Sequence, residues 1–364
     1  MNKNHYCIIM AGGSGSRLWP ISTTSRPKQF IRADSLGTTF MRLTYERFAK
    51  IVPQENILVI TTARYRSLVR ENLPEVAEEN ILSEPYGRNT APSVVYASYT
   101  LLKRNPEAAM IVTPVDHIIT DEEKFREAAV NALEYACRNK ALMTIGIVPT
   151  RPDSNYGYIQ VTGGKNATSS DKVAKVKTFT EKPDKELAKV FIGTGEFFWN
   201  SGIFAWRADT VKEELEKYIP EITRLFTGWE KALGSPAEEE FITRAYTDCI
   251  NISIDYALME KTDRAWLYPG GFGWFDIGAW ESLHEFLPVK DAAGNAVIAT
   301  EKLTEDCSGN LIISEKKGKM VAVKGLKDYL VIDTGDVLMI CPKDDAKFKE
   351  FIAGIAMPQY EKYR

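Results

Sequence analysis

The sequence predicts an α/β protein with a doubly wound sheet over residues 1–288 and a small all-β module over residues 289–364. Three observations lead there. Short, near-continuous apolar runs alternate with helix-period segments through the first half, the rhythm of parallel strands covered on both faces. Several of those runs end in polar or glycine-bearing turns, as strands do when a ligand crevice lies at their carboxyl ends. After about Pro288 the texture changes to short β-rich runs punctuated by glycine or charged residues.

The elements follow in chain order. Cys7–Met10 reads as a short buried strand, Thr39–Ile51 as a helix with Phe40, Leu43, Phe48 and Ile51 on one face, and Ile57–Thr61 as a second strand. Ala63–Asn72 reads as helical, and Ile81-Leu82 leads to a third strand end at Glu84-Pro85. Thr90–Arg104 is a helix with Asn89 or Thr90 as its cap. Ala109–Thr113 is a strand, Glu122–Asn139 a helix and Ala141–Val148 a strand. Beyond residue 150, Tyr156–Val161 and Val173–Thr180 read as strands joined by a Gly/Ser/Asn-rich loop over 162–171, and Gly202–Trp206 as another strand. Three helical stretches fall between Ala208 and Asp248, and a fourth at Ile254–Lys261. Aromatic residues crowd 197–206 and 266–280. In the module, Asn310–Ser314, Met320–Val323, Tyr329–Asp333 and Val337–Cys341 are β-rich, and 344–364 ends the chain with a short helix.

Composition excludes several function classes. The 364 residues are 44% hydrophobic and 26% charged, with a formal net charge of −3, so no general affinity for nucleic acid or an anionic membrane is implied. No apolar run is long enough to span a membrane, and the N-terminal apolar run is too short for a signal peptide. Five scattered cysteines without metal or redox spacing fit a reducing compartment, here the cytoplasm. Three histidines, at 5, 117 and 284, exclude a His-rich metal site.

The chemistry concentrates in AGGSGSRLWPISTTSRPKQF, residues 11–30. It opens like a phosphate loop, because freed backbone N–H groups bind phosphate oxygens without a side chain. It then fails both common patterns. No Gly-Lys-Ser/Thr closes it, and Leu18 stands where a dinucleotide fingerprint needs glycine, which argues against a nicotinamide-dependent dehydrogenase. Arg17 and Lys28 follow instead, a fork and a point charge for phosphate, on a loop stiffened by Pro20 and Pro27. Two further turns follow strands: Glu84-Pro85-Tyr86-Gly87-Arg88-Asn89-Thr90 and Thr113-Pro114-Val115-Asp116-His117. Asp116, at a strand end, suits Mg²⁺, which takes one or two carboxylates plus substrate phosphates. Asp276, in the aromatic and glycine-rich stretch 273–278, is a second candidate ligand. His117 reads as a hydrogen-bonding neighbour of Asp116.

The ordered motifs resemble the sugar-nucleotide pyrophosphorylases, and among them the guanylyltransferase form that acts on mannose 1-phosphate. GSGSRLWPIS with RPKQF, EPYGRNTAP (84–92), TPVDH (113–117), NYGYI (155–159), FTEKP (179–183), FWNSGIFAW (198–206) and GWFDIGAW (273–280) follow in the order of that family and span residues 5–285. The resemblance implies a Rossmann-like, doubly wound mixed sheet of nucleotidyltransferase type, with a C-terminal module like a short left-handed β-helix that often mediates dimer contacts. It implies transfer of GMP from GTP to α-D-mannose 1-phosphate, giving GDP-mannose and pyrophosphate, with Mg²⁺ as cofactor and a homodimer as the working form. Ala11, Gly12, Gly13, Gly15 and Arg17 would hold the triphosphate, and Lys28 would contact phosphates at the reacting centre. Glu84, Pro85, Gly87, Asn89 and Thr90 would meet guanine and ribose. Asp116 and Asp276 would hold the metal, Gly157, Glu181 and Asn200 the mannose hydroxyls, and Lys182 the sugar phosphate. Many bacterial members carry a fused phosphomannose isomerase domain, and nothing in this sequence matches its His- and Glu-rich metal site.

Two rival readings remain at this level. One is an enzyme of the same fold with another nucleotide and sugar pair, against which EPYGRNTAP and FWNSGIFAW speak. The other is a regulatory subunit that binds nucleotide sugars without turnover. Such chains typically lose the loop Arg, the Lys or the metal acids, and all are present here.

Overall fold

The computed structural model describes residues 1–13, 15–33, 37–164, 173–343 and 348–364. Most of the loop expected over 162–171, the start of the C-terminal tail and Ser14 of the glycine loop lie outside them. The chain forms two compact units whose segments interleave in sequence. The larger comprises Met1–Gly12, Arg42–Val115 and Ile119–Trp274; the smaller comprises Gly13–Met41, Asp116–Ile118 and Phe275–Arg364.

The larger unit is built on a mixed sheet, nine-stranded among the described residues. Its strands are β1 (His5–Met10), β2 (Ile57–Thr62), β3 (Ile81–Glu84), β4 (Ala109–Pro114), β5 (Leu142–Ile147), β6 (Tyr158–Val161), β7 (Ala174–Thr180), β8 (Phe197–Arg207) and β9 (Ala265–Gly270). They lie in the order β3-β2-β1-β4-β8-β5-β9-β7-β6, with β8 also pairing with β6. The first four are parallel, as the βα rhythm predicts. β8 then runs antiparallel to both β4 and β5, and this makes the sheet mixed. Strand β9, third from the β6 edge, overlaps the start of 266–280, where the sequence shows only aromatic density; it pairs in parallel with β5.

Helices cover this sheet and carry the expected end signals. Thr90–Arg104 starts at Asn89, whose side chain accepts from the Thr90 N–H, and ends on Lys103 and Arg104. Glu122–Asn139 is capped by Asp121, with Glu122 and Glu123 in its first turn and Arg138 in its last. These charges complement the helix dipole at both ends. Ala97, Tyr99 and Leu101 of the first helix pack with Val211, Leu215 and Phe226 in one continuous core.

The smaller unit contains the β-rich module. Ala296–Ile298, Leu311–Ser314 and Tyr329–Asp333 stack in parallel register, and Leu338–Pro342 adds antiparallel at the edge. Glu301–Glu305 and Met320–Lys324 form a second parallel pair. The chain thus coils from one short sheet to the other and back, a β-helix-like path. Leu311, Ile313, Leu330 and Ile332 turn inward and pack with Leu18, Trp19, Ile21, Phe40, Ile277 and Trp280. The C-terminal residues fasten to the same N-terminal segment: Trp19 Nε1 donates to the Tyr363 carbonyl (2.7 Å), and the Thr24 N–H donates to that of Arg364 (3.0 Å).

One buried residue holds three parts of the coil together. Asn310 is fully buried; its Nδ2 donates to Asn295 Oδ1 and to the Leu326 carbonyl (both 2.8 Å), and its Oδ1 accepts from the Tyr329 N–H (2.8 Å). Asn310→Ala strands the part-buried Tyr329 N–H, while the Leu326 carbonyl and Asn295 Oδ1 keep the N–H groups of Ser308 and residue 310; an unsatisfied group costs roughly 1–3 kcal/mol. The expected result is a loss of about 1–3 kcal/mol in urea unfolding. A loss within experimental error of zero would show that water replaces the amide.

Candidate active site

Within the smaller unit, two cations and two carboxylates converge. Gly15 sits at φ +66°, and a Cβ there would collide with the Lys28 side chain. Only glycine therefore lets the loop turn back and press against Lys28. Arg17 lies on the single turn Ser16–Leu18 that follows. Lys28 opens the turn Lys28–Phe30 after an extended Pro27, and its side chain is buried. Its ammonium forms an ion pair with Asp116 and donates to the Ile277 carbonyl (3.1 Å). The Ile277 N–H in turn donates to the Asp116 carbonyl (3.3 Å). A Cβ on Gly278 would lie 3.2 Å from the Arg17 guanidinium and 3.1 Å from the Asp276 carboxylate, so Gly278 leaves room for both.

Ligand atoms of Asp116, His117 and Asp276 all lie within 4.8 Å of one another. Two carboxylates suit a hard divalent cation far better than an imidazole does, so Asp116 and Asp276 fit the oxygen-donor set. Burial pushes the Asp116 carboxyl up, but the Lys28 ammonium, aided by His117, outweighs it and holds the group at about 2. The acid is therefore ionised throughout the neutral range.

Within the larger unit, the candidate residues form two groups. In the first, Ala11 donates to the Ile60 carbonyl (2.8 Å), and a Cβ on Gly12 would lie 3.1 Å from Glu84 Oε2. Glu84 is buried and accepts from the hydroxyls of Ser93 and Tyr246. The turn after it is strapped down on its far side. Arg88 donates to the Tyr246 and Thr247 carbonyls, and Thr90 Oγ1 accepts from the Ile254 N–H (2.8 Å). Asn89 holds a left-handed φ of +64°, while Pro85 stays partly exposed and Gly87 faces open space.

Burial raises the Glu84 carboxyl above its ordinary value despite the two hydroxyl donors, Ser93 and Tyr246. The folded protein therefore takes up this proton at higher pH than the unfolded chain. The group's contribution to stability rises as pH falls from neutral through the folded pKa, and levels off below the unfolded value near ~4.3. Glu84→Gln is expected to flatten that part of the stability–pH curve and to leave the protein at least as stable at pH 7. Urea unfolding between pH 4.5 and 7.5 checks this, and an identical slope in both proteins would assign the pH dependence elsewhere.

The second group gathers Gly157, Glu181, Lys182 and Asn200. Lys182, at φ +44°, pairs with Glu181 (2.7 Å). A Cβ on Gly157 would fall 2.8 Å from Glu181 Oε2 and 3.7 Å from Asn200 Nδ2. A fifth residue joins them that sequence reasoning missed. Asp255 accepts from Asn200 Nδ2 (2.6 Å), and burial raises its carboxyl above the ordinary range. The signal available for it was an acid inside the otherwise apolar segment Ile254–Met259.

Residues 6–290 match the nucleotidyl transferase family model, and residues 301–352 match that of the MannoseP isomerase/GMP-like beta-helix domain. The family match defines the class: an enzyme that transfers a nucleotidyl group. Mannose-1-phosphate guanylyltransferase of Escherichia coli K12 is 38% identical over 93% of this chain and 70% of its own length. The alginate biosynthesis protein AlgA of Pseudomonas syringae pv. tomato is 38% identical over 95% of this chain and 71% of its own. The crystal structure of mannose-1-phosphate geranyltransferase from Thermus thermophilus superposes with a TM-score of 0.84 at 31% identity, covering 97% of this chain and all of that one. The chain belongs to the mannose-1-phosphate guanylyltransferases, within the nucleotidyl transferase family. The α/β fold with a mixed sheet and a C-terminal β-helix-like domain agrees with the reading from sequence.

Proposed function

We propose that the protein transfers GMP from GTP to α-D-mannose 1-phosphate, releasing pyrophosphate and forming GDP-mannose. The observation that carries the reaction is the cluster of Arg17, Lys28, Asp116 and Asp276. The shared name of the relatives supplies the substrate pair.

The nucleophile is a phosphate oxygen of the sugar phosphate. A phosphate monoester has its second pKa near ~6, so it is mostly ionised at neutral pH and needs no general base. The obstacle is charge: two like unit charges about 4 Å apart repel by roughly 4 kcal/mol at an effective dielectric near 20. Rate acceleration therefore comes from positioning and charge neutralisation. Arg17 and the backbone from Ala11 to Gly15 hold the triphosphate, Lys28 meets the phosphates where the bond forms, and Lys182 holds the sugar phosphate. Asp116 and Asp276 would hold Mg²⁺, which would supply further charge neutralisation on the triphosphate. Glu84, Pro85, Gly87, Asn89 and Thr90 take guanine and ribose; Gly157, Glu181 and Asn200 take mannose. In-line attack inverts configuration at the α-phosphorus.

The working form is a cytoplasmic homodimer in this reading. Five free thiols support the compartment, and no described helix is long and apolar enough to cross a membrane. The exposed Leu303, Met320, Leu338 and Ile340 on the module's strands support a dimer.

The test is pyrophosphate release with Mg²⁺, pairing GTP, ATP or UTP with mannose 1-phosphate or glucose 1-phosphate. Fast release with GTP and mannose 1-phosphate is the expected result. Preference for another pair would overturn the specificity, and no release from folded protein that binds GDP-mannose would overturn the reaction.

A further inference from the structure

Asp255 opens a single wide turn, the π-helix Asp255–Met259, closed by the Glu260 N–H on the Asp255 carbonyl (2.9 Å). Such turns occur often at functional sites, because the extra residue re-aims a side chain. Here the side chain meets Asn200, at a break in β8: pairing with β5 is irregular between Asn200 and Phe204, and Gly202 holds φ +69°.

The Asn200 amide is fixed at both ends. Its Nδ2 donates to Asp255 Oδ1 (2.6 Å), and its Oδ1 accepts from the Gly202 N–H (3.0 Å). A flipped amide would set its oxygen against the Asp255 carboxylate and its NH₂ against the Gly202 N–H, two repulsive contacts in place of two bonds. The fixed amide keeps one Nδ2 proton for another partner. Asn200 is thus a donor of set polarity, while Glu181 beside it is an acceptor when ionised. Gly157 leaves the space between them clear, and its carbonyl accepts the Asn200 N–H (2.8 Å). One fixed donor and one acceptor across a cleared gap match a sugar hydroxyl pair, in which one oxygen accepts and a neighbouring O–H donates.

We infer that Asp255 is a positioning residue for sugar recognition: by locking the Asn200 amide it fixes which hydroxyl oxygen of the sugar phosphate receives the Nδ2 proton. This inference rests on the sugar 1-phosphate reading of the same site. Asp255 acts through Asn200 and leaves nucleotide binding untouched.

The test sets enzyme variants against substrate variants. Mannose 1-phosphate and its 2-, 3-, 4- and 6-deoxy analogues are assayed for kcat/KM with the wild type, Asp255→Ala and Asp255→Asn, together with KM for GTP. The wild type is expected to reject one analogue most strongly, by roughly 50-fold or more, since a lost hydroxyl leaves a polar group unpaired. In Asp255→Ala that one penalty shrinks to about 5-fold or less. KM for mannose 1-phosphate rises about tenfold, and KM for GTP stays within about twofold. Asp255→Asn keeps the shape and an acceptor oxygen but permits the alternative flip, so its penalty falls between the two. It serves alone if the alanine variant does not fold. Equal losses on every analogue, or an unchanged pattern, would overturn the inference. A wild type inactive on mannose 1-phosphate would overturn the reading beneath it; an active wild type with an unchanged variant pattern would overturn the inference alone.

Discussion

Lys28→Ala is expected to lower kcat by about 10²–10³-fold while the protein stays folded, the scale of losing one preorganised charge contact. Two effects add. The variant loses a buried ammonium fixed by Asp116 and the Ile277 carbonyl, so no reorganisation is needed to present it. It also frees Asp116 from the charge that outweighs burial, so that carboxyl moves up from about 2 and the acid limb of the rate profile moves up with it. Lys28→Arg is expected to rescue little, because the stem is pressed against Gly15 and a planar fork does not fit a site built for a point charge. Saturating rates between pH 5 and 9, with circular dichroism as the folding control, decide it. Near-normal turnover would remove Lys28 from the chemistry.

The second large effect falls on Asp276. Asp276→Asn keeps the shape of a partly buried side chain while removing its charge. It is expected to cut kcat about 10³-fold, since metal charge stabilisation is worth several kcal/mol, and to raise the Mg²⁺ concentration for half-maximal rate at least about tenfold. Thermal unfolding of the metal-free protein should barely move. An unchanged Mg²⁺ dependence would shift the second ligand role to His117, whose ring lies in the same group.

Local signals carried much of this fold. The apolar runs mark β1, β2, β4 and β5 because strands covered on both faces need no alternation. Asn89 could be read as a cap from its place before a helical pattern. The direction of β8 could not, because side-chain periodicity is the same for parallel and antiparallel strands. β9 hid behind its Trp, Tyr, Pro and Gly, a composition that reads as core or turn. Glu301–Glu305 hid because it is exposed along most of its length and shows no apolar face. At the site, Gly15, Arg17, Lys28, Asp116 and Asp276 stood out by type and place. Their meeting depends on contacts 88 residues apart, as between Lys28 and Asp116, which no local pattern encodes. Asp255 reaches Asn200 across 55 residues in the same way.

The interleaving of the two units has a consequence for synthesis. Leu18, Trp19, Ile21, Ile31 and Phe40 leave the ribosome early, yet their packing partners lie in Phe275–Arg364, which emerges about 230 residues later. At ~5–20 residues per second the wait is roughly 10–50 s. Throughout it, the stretch bearing Arg17 and Lys28 is an internal apolar segment, flanked by Met1–Gly12 and Arg42–Val115 and still without those partners, a natural client for a holding chaperone. The four-charge cluster is therefore among the last parts to be completed, so a ribosome that stalls between residues 270 and 275 releases a chain that has the larger unit's strands and lacks Asp276.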